Sequence, residues 1–433
     1  MNPPSQHGGT AHAGAQMYLP DADGQLQVRT LNAARPWRRP DGPLTARTAY
    51  AAAHVVPVMW ADNTPGMPAQ LDWDATLAFR HHLWSYGLGV AEAMDTAQRG
   101  MGLDWPAAAE LIRRSSAEAR SAGGRIAAGA GTDHLDLPAL PTAPEEALSA
   151  VLEAYREQLA VVDDAGALPI LMASRALAAV ARGPEDYLRI YRTLLTEVSG
   201  PVIVHWLGPD FDPALTGYWG SADLDQASRT FLELLGEHPD KVDGVKVSLL
   251  DADREIQLRA GLPAGVRMYT GDDFNYPDLI VGDERGHSDA LLGVFAAMAP
   301  AASTALQELA RPDGAGRAHE ILESTRALGR HLFAAPTYFY KTGVAFLSWL
   351  NGFQPGFQLV GGLHNGRSVP HLVQLFQLAD TAGLLSDPDL AAARMQHYLA
   401  VAGIDVPASA ANPASPASPA NSASPANPAG AGR

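Results

Sequence analysis

Val245, Val247 and Leu249 alternate with Gly244, Lys246 and Ser248, a two-residue period that predicts a strand with one aliphatic face over residues 242–250. Similar short apolar runs occur at 54–60, 88–94, 125–129, 167–172, 202–207, 266–270 and 290–295. Between most of them the period lengthens to that of amphipathic helices, as at 75–86, 106–122, 144–163, 184–197 and 223–237. Eight strands separated by helices predict an α/β chain closed into a (β/α)8 TIM barrel over residues 49–302. An open doubly wound sheet is the less favoured arrangement, because no Gly-x-Gly-x-x-Gly follows the first run. Beyond the last run the pattern is helical only, which predicts a C-terminal helical module over 303–404. Residues 1–48, rich in Gly, Pro, Ala and Arg, read as an irregular N-terminal extension. The Ala/Pro/Ser/Asn repeats of 405–433 have nothing to bury and read as a disordered tail.

Composition narrows the function. A net charge of −16 argues against nucleic acid or an anionic membrane as partner. The absence of cysteine excludes disulfides, thiolate zinc sites and thiol catalysis, and suits a cytoplasmic protein. No apolar run approaches the ~18 residues of a membrane span, so no membrane association is expected. Of the 31 basic residues only Lys241, Lys246 and Lys341 are lysines. A chain that prefers arginine this strongly yet sets Lys246 inside a hydrophobic strand points to chemistry arginine cannot perform. A desolvated lysine can lose its proton and attack a carbonyl carbon. The competing reading of Lys246 is a strand-end lysine that snorkels to water or pairs with a carboxylate.

In a barrel the reactive groups lie at the C-terminal ends of the strands. The candidates there are Glu92, Asp95, Thr96, Gln98 and Arg99 after the second strand, Thr132, Asp133 and His134 after the third, and His205 on the fifth. Gly271, Asp272 and Asp273 follow the seventh, and His287 lies in the next loop. Asp, Asn, Gly and Ser also dominate turns for backbone reasons alone, so each loop taken singly has a structural explanation.

The later strands resemble the dihydrodipicolinate synthase/N-acetylneuraminate lyase family of class I aldolase-type barrels. The resemblance is carried by Pro201-Val202-Ile203-Val204-His205, Gly244-Val245-Lys246, Thr270-Gly271-Asp272-Asp273, the glycine-bearing stretch 286–293, and Tyr340-Lys341-Thr342-Gly343 in the C-terminal helices. It spans roughly residues 50–400 and looks like a divergent branch. It implies that Lys246 forms an imine with a 2-oxo acid or keto-sugar derivative, an electron sink that opens aldol cleavage, condensation or dehydration. No cofactor or metal is called for, and the family commonly forms homo-oligomers.

Two departures stand out. His205 occupies the place of the family's proton-shuttling tyrosine, a role histidine can fill. The family's Gly-Thr-Thr-Gly-Glu run is replaced by Met94-Asp95-Thr96-Ala97-Gln98, and the added acid disfavours a bound carboxylate. A hydroxyl-rich small molecule therefore suits the site better than pyruvate. The full expectation makes Lys246 and His205 catalytic, with Asp95, Thr96, Gln98, Arg99, Ser248, Gly271, Asp272, Asp273 and His287 binding substrate. Two alternatives remain open. One is a metal-dependent sugar isomerase using Glu92, Asp95, His134, His205, Asp272, Asp273 and His287 as oxygen and imidazole ligands. The other is a non-catalytic sugar-binding barrel.

Overall fold

The computed structural model describes residues 15–94 and 98–407. An antiparallel hairpin, β1 (Gln16–Pro20) and β2 (Leu26–Thr30), precedes eight strands: β3 (Ala49–Ala52), β4 (Gly89–Glu92), β5 (Ile126–Ala130), β6 (Leu168–Leu171), β7 (Val202–Leu207), β8 (Val242–Ser248), β9 (Arg267–Thr270) and β10 (Asp289–Leu292). These eight are parallel throughout and close in chain order, with β10 pairing β3. The chain is a (β/α)8 barrel.

Local chemistry explains the helix boundaries. Asp72, Asp104, Asp223, Asp251 and Asp387 each accept a backbone N–H of the first turn of the helix that follows. Gly123 and Gly166 end the helices Trp105–Ala122 and Pro144–Ala165 in the left-handed conformation. These five aspartates are thus capping chemistry.

The core has two layers. Aliphatic residues on the outer faces of the strands, among them Val245 and Val247, pack under the helices. Inside the barrel, Tyr50, Ala52, Ala91, Ala127, Ile170, Ile203, Tyr269 and Leu291 form a separate cluster. A Cβ on Gly244 would lie 2.5 Å from the Tyr269 ring, and one on Gly89 would lie 2.5 Å from the Tyr50 ring. These two glycines let the tyrosines fill the lower barrel, with their rings edge-on at 6.0 Å. The inward positions of β8 are therefore Gly244, Lys246 and Ser248, which places the Lys246 amine above an apolar floor.

Two parts of the sequence reading change. The first barrel strand is Ala49–Ala52, not 54–60; a run of small alanines gives a weak strand signal, while the stronger apolar run contains Pro57 and lies past the strand end. The stretch read as irregular holds the β1–β2 hairpin, whose Met17 and Leu19 are buried. Just after it, Asn32 bonds the Asp380 carboxylate with both its backbone N–H and its side-chain amide, each at 2.9 Å. Trp37 donates to the Gly383 carbonyl at 2.7 Å, so this segment is tied to the C-terminal helices. Those helices are Ala315–Leu332, Tyr340–Leu350, Val369–Thr381 and Pro388–Val401. Among the described residues no helix is long and apolar enough to cross a membrane.

Candidate active site

The register of β7 on β8 sets His205 beside Lys246, and that of β8 on β9 sets Lys246 beside Tyr269. Lys246 is 7% exposed, and His205 and Ser248 are buried. His205 Nε2 and Ser248 Oγ share a hydrogen bond of 3.2 Å, so imidazole and hydroxyl form one unit against the lysine arm. Gly271 makes room for that arm. A Cβ there would collide with Ser248 Oγ, approach the Val247 carbonyl to 2.7 Å and reach the Lys246 Cε at 3.0 Å. Leu250, two residues past β8, holds a φ of +54°, a left-handed conformation that a leucine adopts only under constraint.

The two aspartates that follow Gly271 behave differently. Asp272 accepts the N–H groups of Phe274 and Asn275 at 2.8 and 2.9 Å and the Asn275 side-chain amide at 2.8 Å. Its oxygens build the turn into the helix Tyr276–Val281. Asp273 is buried, and its Oδ1 accepts the Val294 N–H at 2.9 Å. Burial pushes its carboxyl up to about 7; the Val294 bond and the charges of Lys246 and Lys341 pull the other way, while Asp272 adds to the rise.

Lys341 belongs to the same site. The helix Tyr340–Leu350 carries it to the barrel mouth at 2% exposure, where its amine donates to the Ala52 carbonyl at the end of β3. Burial first, then the Arg80 charge opposed by Glu92, and then Lys246 opposed by Asp273, bring its amine down to about 7. The Tyr340 ring lies 5.0 Å from the amine and stacks on Phe333 at 4.2 Å. Both rings press on Gly293 at the end of β10, where a Cβ would lie 2.6 Å from Tyr340 and 2.7 Å from Phe333. The C-terminal segment thus roofs the mouth above β10 and β3. The sequence reading assigned Lys341 no role, although a lysine inside an apolar helix of a chain with three lysines was a signal.

The strand-two side is committed to holding structure. Glu92 is gripped by Arg80 through two hydrogen bonds of 2.7 and 2.9 Å, both side chains fully buried. Gln98 clamps the Val55 backbone, accepting its N–H at 3.0 Å and donating to its carbonyl at 3.3 Å. Arg99 donates to the Ala93 and Gly129 carbonyls, to Asp133 and to Gln158. Gln98 and Arg99 therefore hold the chain in place, and Arg99 also lines the cavity beside the site. Asp95 and Thr96 lie outside the described residues. His287 is exposed and lies just before β10, at the opposite end of the barrel from Lys246; the loop is an αβ connection, and those lie on the N-terminal face. Among the described residues no group of three or more His, Asp or Glu side chains is placed to hold a metal ion.

A cavity of about 140 Å3 opens beside the site, with Thr132, Asp133, Met172, Arg175, Leu207 and Asp212 in its wall. Leu207 is the register partner of Ser248, so the cavity flanks the end of β8. Arg175 pairs with Asp212, and Arg99 with Asp133 at 3.0 Å, so the charges in the wall are compensated.

Solved structures share this fold. Dihydrodipicolinate synthase from Aquifex aeolicus aligns with a TM-score of 0.57 at 15% identity, covering 78% of this chain and 99% of its own. The lysine-bound enzyme from Cyanidioschyzon merolae aligns at 0.57 and 16%, with the same coverage. N-acetylneuraminate lyase from Fusobacterium nucleatum, complexed with pyruvate, aligns at 0.54 and 14%, covering 77% of this chain and 96% of its own. Among curated proteins none matches the chain. A family model described as protein of unknown function (DUF993) matches residues 17–404, which include the whole barrel and helical module, and the chain belongs to that family.

Proposed function

We propose that the protein is an imine-forming lyase, with Lys246 as the amine that attacks the carbonyl carbon of a 2-oxo acid or keto-sugar derivative. The observation that carries this reading is the position of Lys246: a nearly buried amine at the C-terminal end of a barrel strand, beside His205 and within the field of Asp273. The nitrogen lone pair forms the C–N bond and the carbonyl oxygen takes a proton, giving a carbinolamine. Loss of that hydroxyl as water leaves the protonated imine. Its positive nitrogen accepts the electron pair when an adjacent C–C bond breaks or an adjacent C–H is deprotonated. Reprotonation and hydrolysis then release product and restore the amine.

Proton transfers need groups that change state near neutral pH. His205, coupled to Ser248, is placed to serve the substrate carbon and oxygen, and Asp273, held at about 7, is suited to give and take a proton. The charge-compensated cavity beside Leu207, with the Thr132 hydroxyl in its wall, favours a neutral hydroxylated body on the substrate over a second anionic group. Incubation with a library of oxo acids and keto sugars in the presence of borohydride should add substrate mass to the peptide containing Lys246. Mass on Lys341 alone, or on no lysine, would remove Lys246 as the nucleophile.

A further inference from the structure

We propose that the cavity between residues 35–39, the helix Trp73–Ser85 and the helix Tyr340–Leu350 is a second ligand site, which takes a small aromatic carboxylate with a polar group at its far end. The cavity measures about 290 Å3, against about 140 Å3 for the one beside Lys246, and the two share no lining residue. It lies where the N-terminal segment crosses from the barrel to the C-terminal helices, so it is independent of the imine chemistry.

Positive charge lines its opening. Arg35 and Arg39 are exposed and lie in its wall, and no aspartate or glutamate does, in a chain whose acidic residues outnumber the basic ones by 47 to 31. Arg38, between them, pairs with Glu308 at 3.3 Å, whereas Arg35 and Arg39 pair with no carboxylate among the described residues. Their guanidinium groups instead lie 5.6 Å from the rings of Trp37 and Tyr86. The segment that presents them is fixed at both ends. Trp37 donates to the Gly383 carbonyl, and Pro40 sits where a Cβ on Gly87 would come within 3.1 Å of its ring. Gly383, at a φ of +70°, lets the Arg35 arm cross it: a Cβ there would lie 2.5 Å from the Arg35 Cδ. Two guanidinium groups held over rings, with no carboxylate of the protein to meet, suit the carboxylate of a ligand.

Behind the arginines the lining is flat and apolar. The His82 ring lies 4.2 Å from Phe353 and 5.2 Å from Tyr86. Burial, and then the Arg39 charge, bring His82 down to about 4, so at neutral pH it offers an uncharged ring. The helix Phe295–Leu309 contributes the methyl groups of Ala296, Ala297 and Ala299, and its Pro300 has no N–H to give to the Ala296 carbonyl. Rings on one helix and methyl groups on another leave space for a planar body. Ser348 supplies the polar end. It is 4% exposed, and its Oγ has no hydrogen-bond partner among the described residues. A serine inside a helix has the carbonyl one turn earlier within reach, and Ser348 does not use it. A buried hydroxyl without a partner is costly, and a polar ligand atom at this end of the cavity would supply one.

The competing reading makes the arginines surface charges and Ser348 a small residue that lets helices pack. Three probes separate the two in saturation-transfer NMR on the full chain: 4-hydroxyphenylacetate, its amide, and phenylacetate, which lacks the hydroxyl. The acid should bind about tenfold more tightly than the amide, the usual result of keeping charge-assisted hydrogen bonds, and several-fold more tightly than phenylacetate. Arg39→Gln and Arg35→Gln should each weaken the acid and leave the amide unchanged. Ser348→Ala should erase the difference between the acid and phenylacetate. Without ligand its Tm should stay level or rise, because no bond within the protein is lost. Binding of none of the probes, or equal binding of acid and amide, overturns the proposal. So does a Ser348→Ala protein that melts earlier and binds all three probes as before, since the hydroxyl then serves the fold. A Lys246→Met protein, folded by circular dichroism, should bind the acid as the wild type does. Loss of binding there would put the acid in the barrel and refute the second site, whereas retained binding with no imine ever trapped would keep the site and remove the lyase reading.

Discussion

Asp133 and Asp273 are carboxyls on the same rim of the same barrel, and burial pushes both upward, yet they end on opposite sides of their ordinary value. For Asp133, the Arg99 guanidinium and the hydrogen bonds from Arg99 and Gln158 outweigh burial, so its carboxyl is held below the usual range. For Asp273, one backbone N–H and two lysine charges do not outweigh it, and the group sits at about 7. The difference teaches that buried charge does not by itself mark a reactive site. Around β4 and β5 the guanidinium forks of Arg80 and Arg99 meet carboxylates and carbonyls in fixed geometry and hold the loops. Around β8, β9 and β3 the charges of Lys246 and of Lys341, which the helix Tyr340–Leu350 supplies, act on the Asp273 carboxyl, and burial leaves that group able to change its protonation at neutral pH.

The largest expected effect tests the structural side. Arg80→Met leaves Glu92 in a fully buried position without its partner, and denaturant unfolding should show a loss of about 3–5 kcal/mol, the usual result of breaking a buried ion pair from one side. Asp273→Asn should cost far less stability while reducing trapping at Lys246. Comparable destabilisation by the two variants would erase the distinction between the two arcs of the rim.

Next in size is the proton carrier. His205→Phe should keep ligand affinity within a few-fold and lower turnover by about 100-fold, the usual range for losing an acid–base group. Unchanged turnover would show that the proton travels through Asp273 or water instead. A smaller effect is expected from Gly271→Ala. Its methyl group would collide with Ser248 and crowd the Val247 carbonyl and the Lys246 arm. Overpacking of this kind costs about 1–3 kcal/mol, and trapping should fall with it because the arm is displaced. A stable Gly271→Ala protein that traps normally would show that the arm takes another path.

How much of this could be read from the sequence follows from the range of each interaction. The strands at Val202–Leu207 and Val242–Ser248 were legible because each is a short apolar run, and the alternation of Val245 and Val247 with Gly244, Lys246 and Ser248 placed Lys246 on an inward face. β3 was not, since Ala49–Ala52 carries little apolar signal of its own and owes its place to pairing with β4 and β10. Asp272 and Asp273 are adjacent in sequence, and nothing local distinguishes the one spent on a turn from the one in the site. Gln98 and Arg99 have the chemistry of ligand-binding residues, but their partners, Val55, Gly129, Asp133 and Gln158, lie 30 to 59 residues away or follow another strand. His287 drew notice for its type, and only the topology puts its loop on the far face. Lys341 needed a contact with Ala52 across 289 positions to bring it into the site.

The sharpest test of the comparison is the sign of each carboxyl's contribution to stability against pH. Asp273 has a folded value of about 7 against an ordinary value of 3.8, so between those limits the folded chain binds more protons than the unfolded one. Its contribution is present in full below pH 3.8 and is lost as the pH rises towards 7. Glu255 acts in the same sense from 4.5 to about 8. It is raised by burial between the helix Ala252–Ala260 and the barrel, where the hydroxyls of Ser288 and Thr270 donate to it at 2.7 and 2.8 Å. Asp133, held below its ordinary value, has the opposite slope: its contribution is present above that value and is lost as the pH falls. Urea midpoints measured from pH 3 to 8 should therefore respond differently to three variants. Asp273→Asn and Glu255→Gln should each flatten the decline on the way from acid to neutral pH, because the amides mimic the protonated acids. Asp133→Asn should flatten the decline on the acid side and leave the neutral side unchanged. If Asp133→Asn and Asp273→Asn altered the same limb, the two carboxyls would be held alike, and the contrast between a braced arc and a reactive arc of the rim would fall.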